Sequence, residues 1–187
     1  MKIIRDYNNY QTYLDHQKVK SLNPKRIETW FKEWEPKVKM FTKHFERNKK
    51  YLGKKALGIC ARTGQEIEAM KNLGMDAIGI DIVEYPPLVI KGDAHDLPFK
   101  DNEFDFVFSN SLDHSIYPET FLKEMQRVLK VGGYGLLHLQ LTEDVDKYAE
   151  NIILNDKSVI ELLTDVEIIK VRTIKDICYN KEIVFKK

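Results

Sequence analysis

The sequence predicts an α/β fold, a three-layer sandwich around a mostly parallel seven-stranded sheet, and three observations carry that prediction. From Lys54 onward, short apolar runs alternate with helical stretches, as expected of buried parallel strands joined by covering helices. The chain closes with two β-rich runs, VEIIKVRTI and ICYNKEIVF, separated by a short Lys-Asp segment, which read as an antiparallel hairpin at the sheet edge. At 187 residues the chain is long enough for one well-buried core and too short for two ordinary domains with a linker.

The elements follow in order. KALGIC reads as the first strand, EIEAMKNLG as the first helix and DAIGIDI as the second strand. LVIKGDA is the third strand, FDFVFSN the fourth, ETFLKEMQRVLKVGG a helix ending in glycine, and YGLLHLQL the fifth strand. Residues 147–163 are expected to form another helix before the hairpin. Upstream, Asn23-Pro24 opens a capped helix that Pro36 interrupts. Its apolar residues Ile27, Trp30, Phe31 and Trp34, then Val38, Phe41 and Phe45, recur at three and four residues, so one face is expected in the core. Tyr7, Tyr10, Tyr13, Leu14 and Gln17 mark a shorter, polar helix, either a lid over a pocket or a surface arm. The expected organisation is a helical cap over residues 1–50 and an α/β core over 51–187.

Composition narrows the class. Apolar residues make up 43% and charged residues 32%, as in a globular protein. No apolar run approaches the roughly 20 residues of a membrane span. MKIIRDYNNYQTYLDHQ lacks the apolar stretch of a secretory leader, so a cytoplasmic protein without membrane partners is expected. The two cysteines, Cys60 and Cys178, lie far apart without metal-ligand spacing, which fits a reducing compartment and no metal. The net charge of +1 conceals an excess of about +7 in residues 1–50. Such a flank either steers an anionic substrate or simply solvates the outer faces of helices.

In an open parallel sheet the ligand crevice lies beyond the carboxyl ends of the strands. Three such ends carry suitable chemistry. After the first strand, Cys60-Ala61-Arg62-Thr63-Gly64 makes a tight turn into a helix whose N-terminal amides can hold an anion. The second strand ends in Asp81 and Ile82, where the carboxylate can accept both hydroxyls of a ribose. After the third comes Asp93-Ala94-His95-Asp96-Leu97-Pro98-Phe99, polar and then apolar, suited to an adenine edge and face.

Together LGICARTG, IGIDI, GDAHDLPFKDNEFDFVFSN and FLKEMQRVLKVGGYGLLHL resemble, in order and spacing, the class I S-adenosylmethionine-dependent methyltransferases of the type-11 domain family. The resemblance runs from Leu57 to Gln140 and implies a Rossmann-like sheet with S-adenosyl-L-methionine as cofactor. It implies that Ala61, Arg62, Thr63 and Gly64 hold the methionine portion, Asp81 the ribose, and Asp93, Ala94 and His95 the adenine. Ser109 and Asn110 fall where the family places the methyl group and the incoming nucleophile. The first turn departs from the family, which usually has an acid and three glycines where this chain has Gly58, Cys60, Arg62 and only the final Gly64. Arg62 either reaches the methionine carboxylate or faces solvent or substrate. With no acid at position 58, Glu66 is the candidate partner for the cofactor's amino group.

Methyl transfer from a sulfonium is an in-line displacement, so the protein chiefly aligns the partners, and an alcohol or phenol acceptor also benefits from a base. Asp113 and His114 are the candidate dyad, with histidine as base and aspartate orienting it. The alternative for His114 is a residue that closes the pocket. His138 in the fifth strand reads as a satisfied core residue, His16 as structural, and Cys60 as a small residue in tight space rather than a nucleophile. The expected function is methyl transfer to an oxygen or nitrogen of a small or medium acceptor, anionic or sugar-like. The rivals are a noncatalytic scaffold on the same fold, an RNA methyltransferase, which lacks a separate RNA-binding motif here, and a nicotinamide oxidoreductase, which the absence of G-x-G-x-x-G opposes.

Overall fold

A computed structural model describes residues 1–145, 147–175 and 179–187. Cys178 and the first residues of the expected last strand lie outside the described residues. The central sheet has seven strands: β2 (Lys55–Ile59), β3 (Asp76–Asp81), β4 (Val89–Lys91), β5 (Phe104–Ser109), β6 (Leu129–Leu139), β8 (Glu167–Thr173) and β9 (Lys181–Lys186). Their spatial order is β4-β3-β2-β5-β6-β9-β8. The first five run parallel, and β9 lies antiparallel between β6 and β8. The strand order reverses between β3 and β5 on either side of β2, so the crevice expected at a switch point opens at the end of β2.

Alternation along the strands divides the core into two layers. Leu57, Val107 and Leu137 face one side, where they join Phe121, Leu122 and Met125 of α5 (Pro118–Val128) and Val159 of α6 (Lys157–Ile160). Ala56, Phe106 and Phe108 face the other, against Phe41 and Phe45 of α3 (Trp34–Arg47) and Ile67 and Met70 of α4 (Gln65–Asn72). The remaining helices are α1 (Tyr10–Ser21) and α2 (Pro24–Lys32). No helix among the described residues is long and apolar enough to cross a membrane.

Three expectations change. Pro36 does break the N-terminal helix, at Glu33, because its ring excludes the carbonyl four residues earlier. The apolar stripe, however, enters the core only from Val38; α2 buries no residue, and Phe31 is 53% exposed. Secondly, α5 stops at Val128, and the LKVGG expected to be helical opens β6 instead, with Leu129 paired to Phe104. Thirdly, residues 147–163 do not form one helix. Asn151–Ile152 is strand β7, paired antiparallel with β1 (Lys2–Ile3), and only Lys157–Ile160 is helical. Buried Asn151 explains the extended backbone, since its Nδ2 donates to the carbonyls of Leu112 and Ser115, each at 2.8 Å.

Candidate active site

The turn after β2 has the backbone of a glycine loop with two side chains added. Cys60, Arg62 and Gly64 all sit at positive φ, 59°, 48° and 98°. These are the three family glycine positions, so the chain keeps the left-handed, alternating path and bears the strain of two L-residues in it. A side chain at Gly64 would also run into Leu88, 2.8 Å from the Cβ position. An acid at position 58 would require the end of the Ile67 side chain to move aside. A Cβ on Gly58 would lie 2.4 Å from Cδ1 of Ile67, which packs α4 onto the sheet.

Asp81 ends β3 beside this loop and fixes it, taking the Arg62 N–H on Oδ2 at 2.9 Å and the Val83 N–H on Oδ1 at 3.4 Å. Burial raises its carboxyl above the ordinary value, and those amides pull it back. Burial likewise pushes the Cys60 thiol well up, with Asp81 and Asp93 adding to the effect, so it is no nucleophile. Burial opposes the charge on Arg62, but Tyr179, Glu66, Asp81 and Asp113 outweigh it and raise its pKa.

Beyond β4, Asp93, Ala94 and His95 face α1. The Tyr10 hydroxyl donates to Asp93 Oδ2 at 2.5 Å and lies 2.8 Å from His95 Nδ1. His95 Nε2 meets the Ser115 hydroxyl at 2.6 Å. Beyond β5, the Ser109 hydroxyl stitches strand ends together by donating to the Ile59 carbonyl at 3.1 Å. The side-chain NH2 of buried Asn110 has no hydrogen-bond partner among the described residues, a donor awaiting an acceptor. His114 lies on a 3-10 turn, Leu112–His114, with Nδ1 2.9 Å from the Tyr148 carbonyl; Asp113 Oδ2 is 4.0 Å from Nε2. The two residues are adjacent, but no hydrogen bond joins them as a dyad. Burial lowers the pKa of His114, against a rise from Asp113.

Two adjoining cavities share Arg26, Arg62 and His114. The first, about 70 Å³, is lined by Asp81, Ile82, Asp93 and His95 on the sheet side and by Tyr13 and Trp30 of α1 and α2. The second, about 440 Å³, is lined by Asn110 and Asp113 and by Lys37, Gln140, Thr142 and Asp144. Ala61, Thr63, Gly64 and Glu66 line neither. Glu66 is buried on α4, and burial raises its carboxyl to about 7. Arg26, Lys37 and Lys20 turn toward the site, whereas Lys25, Lys32, Lys39 and Lys43 lie exposed on the outer helix faces, so the basic flank divides between the two readings of its charge.

The sequence left out the node that anchors α1. Glu150, with a fully buried side chain, accepts from Tyr7 (2.6 Å), Gln17 (2.7 Å) and Lys20 (2.9 Å), and Arg5 and His16 stand within ion-pair distance. The basic and tyrosine-rich N-terminus was the available signal; a lone Glu among residues expected to be helical was not. Among the described residues, His44, His138 and Glu182 form a buried group with metal-ligand types. Its carboxylate is already engaged by Asn48, His138 and Arg172, whose guanidinium repels a cation.

Residues 57–137 match the model of the methyltransferase domain family. A demethylmenaquinone methyltransferase of Staphylococcus carnosus is 39% identical over 105 residues, 45% of this chain and 42% of that protein. A fatty-acid O-methyltransferase of Mycolicibacterium smegmatis is 49% identical over 49 residues, 25% of this chain and 18% of its own length. The chain thus spans less than half the length of these curated relatives. Among solved structures, a Burkholderia thailandensis 1,6-didemethyltoxoflavin-N1-methyltransferase with bound 1,6-didemethyltoxoflavin and S-adenosylhomocysteine superposes with a TM-score of 0.74. It is 14% identical, and the match covers 100% of this chain and 93% of that one. A SAM-dependent methyltransferase from Aquifex aeolicus gives 0.60 at 19% identity, over 75% of this chain and 87% of that one. Residues 57–137 are therefore similar to a methyltransferase domain, and the chain has the fold of the class I S-adenosylmethionine-dependent methyltransferases.

Proposed function

We propose that the protein is an S-adenosylmethionine-dependent methyltransferase acting on an oxygen or nitrogen of a small polar acceptor. The observation that carries this reading is the tautomer of His114. A carbonyl oxygen only accepts, so the contact with Tyr148 puts the proton on Nδ1 and leaves a lone pair on Nε2. Burial keeps the ring neutral near physiological pH. Nε2 lies on the side of Asp113, which lines the second cavity, and is placed to take a proton from an acceptor's hydroxyl or amine.

The residues present suit the cofactor. Asp81 supplies a nearly buried carboxylate for ribose hydroxyls, Asp93 an acceptor for an adenine amine, and the unpartnered Asn110 amide a donor. Arg62 stands between the cavities, able to pair with a carboxylate. S-adenosylmethionine would supply an electrophilic sulfonium methyl group. Tyr13 of α1 and Trp30 of α2 cover the first cavity, which makes these helices a lid over the cofactor site.

The second cavity favours a polar acceptor, anionic or sugar-like. Arg26, Lys37, Arg62, Asp113 and Asp144 line it, and a long alkyl chain there would strip water from charged groups without replacing its hydrogen bonds. Titration calorimetry with S-adenosylmethionine and S-adenosylhomocysteine, with NAD as control, tests the reading on the wild type and Asp81→Ala. Micromolar binding of the first two, lost in the variant, is the expected result. No heat from either would sink the enzyme reading. The side chains at Cys60 and Arg62 would then mark a noncatalytic scaffold on the same fold.

A further inference from the structure

We propose that Tyr10 is a cofactor-positioning residue, whose hydroxyl sets the Asp93 carboxylate for reading an adenine amine and couples that reading to closure of α1. The inference rests on the assignment of residues 93–95 to the adenine end of the site.

The geometry defines one chain of hydrogen bonds. Asp93 Oδ1 can only accept and lies 3.0 Å from His95 Nδ1, so that nitrogen carries the proton, with the Tyr10 oxygen 2.8 Å away. Neutral His95 then accepts at Nε2 from the Ser115 hydroxyl at 2.6 Å, and Ser115 Oγ takes the Tyr117 N–H at 3.1 Å. Asp93 Oδ1 also takes the His95 backbone N–H at 2.9 Å, so that oxygen is committed twice from its own loop. Oδ2 has the Tyr10 hydroxyl at 2.5 Å and a further lone pair free.

Among the described residues, Tyr10 is thus the one group outside the loop that fixes rotation of the carboxylate. Its ring is held in turn, stacked on Tyr117 at 5.8 Å between centroids and edge-on to His95 at 5.7 Å. Asp93 and His95 both line the cleft, and Asp93 is the more open of the two, its side chain 22% exposed against 6% for the His95 ring. A carboxylate held this way accepts from an amine and repels a carbonyl. It should therefore favour adenine over hypoxanthine, and α1 must be closed for the preference to be expressed.

The test compares S-adenosylhomocysteine with S-inosylhomocysteine by titration calorimetry of the full chain as wild type, Tyr10→Phe and Tyr7→Phe, with thermal denaturation of each. Tyr10→Phe should weaken the adenine ligand about tenfold, the scale of one hydrogen bond to a charged group. The inosine ligand should be little affected, so the preference collapses. Tyr7→Phe loosens the same segment at Glu150 without touching Asp93 and should leave the preference intact. If Tyr10→Phe weakens both ligands equally, or neither, α1 merely packs and the proposal is wrong. If the wild type binds neither, the cofactor assignment itself fails and the proposal falls with it. Should Tyr10→Phe not fold, Ser115→Ala breaks the same chain at its far end. It should lower the preference in the same direction, and an unchanged preference there overturns the proposal.

Discussion

His114 and Tyr148 are joined side chain to backbone, Nδ1 to carbonyl oxygen at 2.9 Å, and this single contact fixes which imidazole nitrogen can act as a base. His114→Asn retains a donor near Nδ1 and removes Nε2. Turnover should fall by a factor of about 10²–10⁴, the usual contribution of a general base. S-adenosylhomocysteine affinity should stay near wild type. An equal loss of affinity and turnover would assign His114 to closing the pocket instead.

The pH profile of turnover tests the same residue. The base works in its neutral form, and burial lowers its pKa from the ordinary 6.5. Activity due to His114 should therefore be complete at neutral pH and decline only as pH falls through a value below 6.5. An acidic limb centred above 6.5, or one that survives in His114→Asn, would exclude it.

Much of this site was legible because strand ends are. The apolar runs predict β2 to β6, and the crevice rule then selects the residues at three of their carboxyl ends, Cys60 to Gly64, Asp81 and Asp93, while Asn110 follows only from the family resemblance. What stayed hidden was set by tertiary partners. Asn151 and Glu150 lie in a stretch with helical spacing, yet Asn151 bonds two carbonyls of the β5-end loop and Glu150 gathers the N-terminus, so the backbone is extended. Trp30 carried the same apolar signal as Phe41. Only the fold shows that Trp30 lines a cavity while Phe41 packs on Phe108. Glu66, one turn into α4, packs its Cγ 3.8 Å from where a Cβ at position 58 would stand, although it lines neither cavity.

Arg62→Gly separates strain from function. Arg62 holds φ 48°, where glycine is unpenalised, so the exchange should leave stability unchanged or raise it by up to about 1 kcal/mol. If the guanidinium pairs with the methionine carboxylate, affinity for S-adenosylhomocysteine should fall several-fold. Affinity for 5′-methylthioadenosine, which lacks that carboxylate, should not. Equal effects on both ligands would place the side chain toward the acceptor or solvent.

Glu182 makes the last prediction, away from the site. Its side chain is fully buried between β6 and β8, where Asn48 donates to it at 2.9 Å, Arg172 Nε lies 2.7 Å away, and His138 Nε2 lies 3.2 Å away. Burial alone would raise its pKa, but His138, Arg172 and Asn48 together hold it down at about 2, against an ordinary 4.5. A depressed carboxylate stabilises the fold fully above the unfolded value and loses that contribution as pH falls through the folded one. Glu182→Gln leaves Arg172 without its counter-charge and should cost roughly 3–5 kcal/mol at neutral pH, as breaking a buried pair does. In urea unfolding, the gap between wild type and variant should be constant above about pH 5 and close between there and about pH 2. Because groups common to both proteins cancel in the difference, a gap that stays open in acid would mean that the charge on Glu182 contributes nothing to holding the last strands in place.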